Sequence, residues 1–223
     1  VNAHTHLEFS DLTCPLQPSQ PFTDWLRAVM ADRRGRTLPV SHALSLGQRE
    51  AALSGTTLLG EIATSGRDET AIESALLSQV VFREILGLRP ELRSARVEIA
   101  RQFLDPNSRS EDRDTERGAE RGTESPRDVG RNLIRGLSPH APYSVHPELY
   151  RDLARLAVER RVPLAVHLAE TEGELELLRS GSGEFVRFLE ELGVWVADAI
   201  PRGTTPLDYL RPLVDVQHGL VVH

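Results

Sequence analysis

The stretch PELYRDLARLAVERRVPLAVHLAE, residues 147–170, holds a helix, a strand and the start of the loop beyond them. Pro147–Arg161 reads as a strong amphipathic helix, and Val162–Leu168 (VPLAVHL) as a short strand following it almost without a connection. The apolar run of that strand ends on His167, and Glu170 lies three residues further on. A helix that returns the chain directly into an apolar strand is the repeating unit of a parallel sheet with crossover helices.

The same alternation continues in both directions. Upstream, strands are expected at Val1–His6, Thr56–Ile62 (TTLLGEI), Val80–Leu86 (VVFREIL) and Leu133–Leu137. Helices are expected at Pro21–Arg34, Pro39–Ser54, Glu69–Ser78 and Pro90–Leu104, proline suiting a first helical turn. Downstream come helices Glu172–Arg179 and Gly183–Leu192, the second closed by Gly193. A short helix near Thr205–Leu213 and a sixth strand at Gly219–His223 complete the pattern. Six such units fit a doubly wound open sheet or part of a closed eight-stranded barrel, and periodicity alone does not separate the two. Asp105–Asn132 breaks the alternation. Ala119 and Val129 are its only aliphatic residues, so a solvated, poorly ordered insertion is expected there.

Composition narrows the chemistry. With 223 residues, 39% of them hydrophobic, the chain can bury one sizeable core. It has no run of about 18 apolar residues, which argues against a membrane-spanning helix, and no secretory signal is visible. A net charge of −7 argues against a nucleic-acid partner. The single cysteine, Cys14, cannot form an internal disulfide and fits a reducing cytoplasm. All 26 basic residues are arginine, so Schiff-base, P-loop and carbamylated-lysine chemistry are closed to this segment. Val1 and Leu220–His223 each fall inside a strand-like run, and the chain is read as part of a longer protein.

The histidines cluster where strands end. His4 and His6 lie two apart on a strand, so both rings point to one face, about 6–7 Å apart along the chain. Two neutral imidazoles so placed can ligate one borderline cation such as zinc or iron. His167 ends the fifth strand, where α/β proteins place functional groups. Glu170 can lean back over it and carry a proton between a metal-activated water and a leaving group. His140 sits in the turn SPHAPYS between Pro139 and Pro142, a rigid setting that suits substrate contact. His223 closes the sixth strand. His42, His146 and His218 are read as structural or solvated.

In combination, HxH at 4–6, HAPY at 140–143, HLAE at 167–170 and VVH at 221–223 resemble the amidohydrolase superfamily, in its cytosine-deaminase-like and chlorohydrolase-like branch. Within that branch the chain resembles aminofutalosine or adenosylhomocysteine deaminases. The resemblance covers most of the chain outside 105–132. It implies an α/β fold, a (β/α)8 TIM-type metal-dependent hydrolase barrel, truncated here to about six βα units. The last two strands and an accessory β-sandwich are expected outside residues 1–223.

The resemblance further implies metal ligation by His4, His6 and His167, with Glu170 as proton shuttle and His223 beside the attacking water or substrate. His140 then contacts substrate, and Glu8 and Tyr143 line the pocket. One divalent metal is implied, zinc or alternatively iron, its last ligand an aspartate at the end of an eighth strand. The reaction implied is hydrolytic deamination of a small heterocyclic substrate, a purine, pyrimidine or nucleoside-like molecule. Dechlorination or cyclic-amide hydrolysis on the same site, or a catalytically silent barrel, are the alternatives. Whether the chain self-associates is left open. The isolated segment, with unpaired first and sixth strands, is expected to be inactive.

Overall fold

The computed structural model describes residues 1–17, 20–64, 77–105 and 133–222. The insertion expected at 105–132 lies outside them apart from Asp105, as does His223. Most of the helix expected at Glu69–Ser78 also falls outside, and Ser78 itself is already strand.

Six parallel strands form one sheet: β1 (Asn2–Thr5), β2 (Leu58–Ala63), β3 (Ser78–Ile85), β4 (Leu133–Pro139), β5 (Leu164–His167) and β6 (Gly219–Val222). Each strand lies beside its successor in sequence. That order separates the two architectures left open above. A doubly wound sheet reverses at a switch point and sets non-consecutive strands side by side. A sheet that always adds the next strand on the same side, through right-handed crossovers, carries its helices on one face and curls into a barrel wall. The chain is therefore α/β, its six described strands forming the wall of a TIM-type barrel.

The helices are α1 (Phe22–Gly35), α2 (Val40–Leu53), α3 (Arg93–Leu104), α4 (Pro147–Arg160), α5 (Glu172–Ser180), α6 (Glu184–Glu191) and α7 (Pro206–Leu210). In α4 the sequence logic is plain. His146 caps the start, its Nδ1 accepting from the Glu148 N–H at 3.2 Å, and Pro147 occupies the first turn. Leu149, Leu153, Leu156 and Ala157 form the buried stripe. Arg161, left-handed at φ 55°, turns the chain out of the helix, and β5 begins three residues later. Among the described residues no helix is long and apolar enough to cross a membrane.

Strand alternation sorts side chains into two layers. Leu59, Val81, Ile85, Leu137, Leu164 and Val166 join the main core, which includes the buried stripe of α4. Ile62, Phe82 and Ala165 form a separate plug with Val80 and Leu220 inside the curve of the sheet. Gly136 makes room for it: a Cβ there would lie 2.8 Å from the Phe82 ring, its partner in register. Two residues further along β3 and β5 from this plug stand Glu84 and His167. The plug is thus the floor beneath the site.

Candidate metal centre

His4, His6 and His167 converge. Each offers a ring nitrogen, and the three nitrogens lie within 4.8 Å of one another. His4 Nε2 and His167 Nε2 are 2.9 Å apart. The ring centroids are separated by 4.9 Å (His4–His6), 5.0 Å (His4–His167) and 5.7 Å (His6–His167). His140 completes the group, its ring 5.1 Å from that of His167.

Burial makes these rings poor bases. It depresses His4, takes His167 and His140 to about 4, and lowers His6 furthest, to about 2. Neighbouring imidazoles add to the effect on His6 and His167, and Arg33 to that on His6 and His140. In all four, burial favours the neutral imidazole, the form that can ligate. The buried Nδ1 atoms of His6 and His167 have no hydrogen-bond partner. Three neutral nitrogen donors around one point fit a single borderline divalent cation.

Glu170 reaches the same cavity through a strained turn. Ala169 is left-handed at φ 61°, a conformation costing an L-residue roughly 1–2 kcal/mol. The fully buried Glu174 offsets this, its carboxylate accepting from the N–H groups of Ala169 (3.0 Å) and Glu170 (3.1 Å). Tyr143 donates its hydroxyl to Glu170 Oε2 at 2.9 Å and stacks on Phe185. Burial raises Glu170 to about 7, the Tyr143 hydrogen bond pulling the other way. A carboxyl poised near neutrality can both accept and return a proton.

His140 is fixed by its loop. Its N–H donates to Ile85 O, its carbonyl accepts from the His167 N–H at 2.8 Å, and its Nδ1 lies 2.6 Å from Ser144 Oγ. Its Nε2 sits 3.7 Å from Glu84 Oε1. The four histidines, Tyr143 and Glu170 line a cavity of about 850 Å³. Much of the remaining wall is apolar, with Phe22, Trp25, Met30 and Phe188 among its largest contributors.

One expected pocket residue is corrected. Glu8 does not line this cavity: the chain leaves β1 into the 3-10 turn Leu7–Phe9, which ends the strand alternation. Its carboxylate is fully buried, accepting from Arg33 Nη2 at 2.8 Å and from Thr64 Oγ1. Arg33 faces the cavity in its place. The sequence reading also missed three acids, Glu61, Glu84 and Glu174. A lone charge inside an apolar strand run marks Glu61, the charged pair Arg83-Glu84 inside VVFREIL marks Glu84, and the spacing Thr171-x-x-Glu174 marks the third.

A sequence profile described as the amidohydrolase family matches residues 1–205. An aminodeoxyfutalosine deaminase from Nitratiruptor sp. is 31% identical over 193 residues, 86% of this chain and 43% of that protein. A 5-methylthioadenosine/S-adenosylhomocysteine deaminase from Carboxydothermus hydrogenoformans is 26% identical over 205 residues, 90% of this chain and 43% of that protein. The chain thus spans less than half the length of these relatives. The crystal structure of Helicobacter pylori aminofutalosine deaminase with methylthio-coformycin superposes with a TM-score of 0.70 at 23% identity, covering 100% of this chain and 49% of that one.

Proposed function

This chain belongs to the amidohydrolase family, and from that premise we propose that the protein is a metal-dependent hydrolase that removes ammonia from an amino-substituted heterocycle. The observation that carries the reading is the convergence of three neutral imidazoles, with a carboxyl poised near pH 7 in the same cavity. His4, His6 and His167 are the residues that would hold the ion, zinc before iron. With no lysine in the chain to bridge a second ion, one metal is the reading.

When bound, the ion supplies a water that ionises near neutral pH. Glu170, its carboxyl pushed up to about 7 by burial, takes the proton of the attacking water and delivers it to the departing amine. A C–O bond forms at the amidine-like ring carbon, the C–N bond breaks, and ammonia leaves. Tyr143 keeps Glu170 aimed into the cavity. His140, locked by its loop, contacts the ring, and a role for His223 beside the attacking water rests on the sequence resemblance alone. The apolar wall suits a ligand larger than a bare base, in keeping with the adenosine-derived substrates in the name of the Carboxydothermus relative. A partial barrel completed elsewhere in the protein, its last ligand an aspartate, is part of the proposal, as is a cytoplasmic setting.

The test is metal analysis and an ammonia assay on the intact protein. One zinc or iron per chain is expected, with ammonia released from 5′-methylthioadenosine or a related aminopurine nucleoside. Chloride from a chlorotriazine without ammonia from any substrate would place the protein in the sister chemistry. A protein lacking both metals, and gaining no activity from either, is a silent scaffold.

A further inference from the structure

Behind the histidines, on the helix-facing side of the sheet, lies a carboxyl group that the chemistry above does not use. Glu61 is the one charged residue of β2 and is 1% exposed. It stands in register with Thr5. Its Oε2 lies 2.8 Å from Thr5 Oγ1, and its two oxygens lie 3.2 and 3.0 Å from the Leu7 backbone nitrogen. Thr5 and Leu7 flank His6. Along β1 the residues alternate, so His4 and His6 turn toward the cavity while Thr5 turns back toward Glu61. The backbones meet closely here: a Cβ on Gly60 would fall 2.1 Å from Ala3 O.

Counting protons gives the state of this acid. Thr5 Oγ1 also lies 3.0 Å from Gly60 O, which can only accept. One hydroxyl proton cannot serve both Gly60 O and an ionised Glu61. If Glu61 keeps its acid proton, every demand is met. Oε2 donates to Thr5 Oγ1, Thr5 donates to Gly60 O, and the Leu7 N–H donates to Oε1. Among the described residues no cation pairs with Glu61, and an isolated buried carboxylate is costly. Burial pushes the group up to about 8, in the same direction.

We infer that Glu61 is a positioning residue for the metal centre, gripping the residues on either side of His6 as a neutral acid and so fixing the aim of His6 and His4. The inference rests on the reading of those histidines as ligands. Glu61 touches neither the ion nor the substrate; it acts through Thr5 and the Leu7 N–H.

The test is zinc and cobalt(II) binding by the intact protein and by three variants, Glu61→Gln, Glu61→Ala and Thr5→Val. The readouts are zinc affinity by chelator competition and the visible absorption of the cobalt form. Glutamine can donate to Thr5 and accept from Leu7, so Glu61→Gln should bind zinc within about threefold of the parent. Glu61→Ala leaves both partners without their bond and should bind roughly 10–100-fold more weakly, with an altered cobalt spectrum. Thr5→Val, which breaks the middle link and keeps shape, should fall between them and decides the matter if the alanine variant does not fold. Glu61→Ala and Thr5→Val binding as tightly as the parent, with unchanged spectra, overturn the inference alone. Glu61→Gln as impaired as Glu61→Ala overturns the neutral acid. A parent that takes up neither metal overturns the ligand reading, and this inference with it.

Discussion

β1 and β5 bring histidines to the same point by different means. β5 is paired on both sides, with β4 and β6, and all four of its residues are buried. His167 therefore inherits its position from packing on every side. β1 lies at one margin of the described sheet and pairs only with β2, with a register irregularity between Asn2 and Thr5. It is exposed at its start and half-buried at its end. The residues on either side of His6 are held by hydrogen bonds to Glu61, the device proposed above to aim the histidines of β1. The β5 end also carries Glu170 and its supports, while the β1 end brings His4 and His6, the proposed donors for an ion. This predicts a division of labour: damage at β1 weakens metal binding, and damage beyond β5 slows proton transfer in a loaded site.

The strongest challenge to that division is Glu170→Gln. It preserves size and removes the carboxyl proposed to carry the proton. Turnover should fall by roughly 10²–10⁴-fold with metal content unchanged. Loss of metal from this variant would make Glu170 a ligand and erase the distinction between the two ends.

Glu174→Gln should come next. Its two carboxylate oxygens each accept from one of two adjacent N–H groups in the turn that presents Glu170, and in an amide of the same pose one of those oxygens becomes an NH2 that cannot accept. One buried donor is left unsatisfied beside a left-handed Ala169, and about tenfold of kcat should be lost. Zinc affinity and KM should hold. A variant with unchanged kcat and only a lower Tm would show Glu174 to be a fold residue with no part in aiming Glu170.

What the chain announces in its sequence and what it conceals follow the same contrast. Helix α4 and strand β5 are legible because each carries its own period, and His167 and Glu170 because they sit beside that strand's apolar run. The choice between barrel and open sheet is not legible from periodicity, since strand order depends on contacts between distant segments. Glu61 was overlooked for that reason. Its partners Thr5 and Leu7 lie 56 and 54 residues away, and without them it reads as an ordinary acid. Glu174 shows the limit of a local motif: Thr171-x-x-Glu174 signals a capped helix start, yet its carboxylate bonds the N–H groups of Ala169 and Glu170. Glu8 misled because a 3-10 turn begins at Leu7 and takes it out of the strand pattern.

The smallest effect is the most discriminating, because it is a displacement in pH. Tyr143 donates to Glu170 Oε2, which favours the ionised form and holds the carboxyl lower than burial alone would. Glu170 must be ionised to take a proton, so kcat/KM should rise with pH through a limb near 7. Tyr143→Phe removes the bond and keeps the ring stacked on Phe185. The folded-state pKa of Glu170 then rises, and the limb moves to higher pH by roughly half to one unit, the equivalent of one hydrogen bond. Activity at pH 6 drops several-fold while activity on the alkaline plateau is nearly unchanged. Glu61→Gln alters a carboxyl on the β1 side that is not among the groups shifting Glu170, and it should leave the limb in place. A limb that stays put in Tyr143→Phe, or moves in Glu61→Gln, would mean that the titrating group is not Glu170, and that the two ends of the site are not divided as their hydrogen bonds imply.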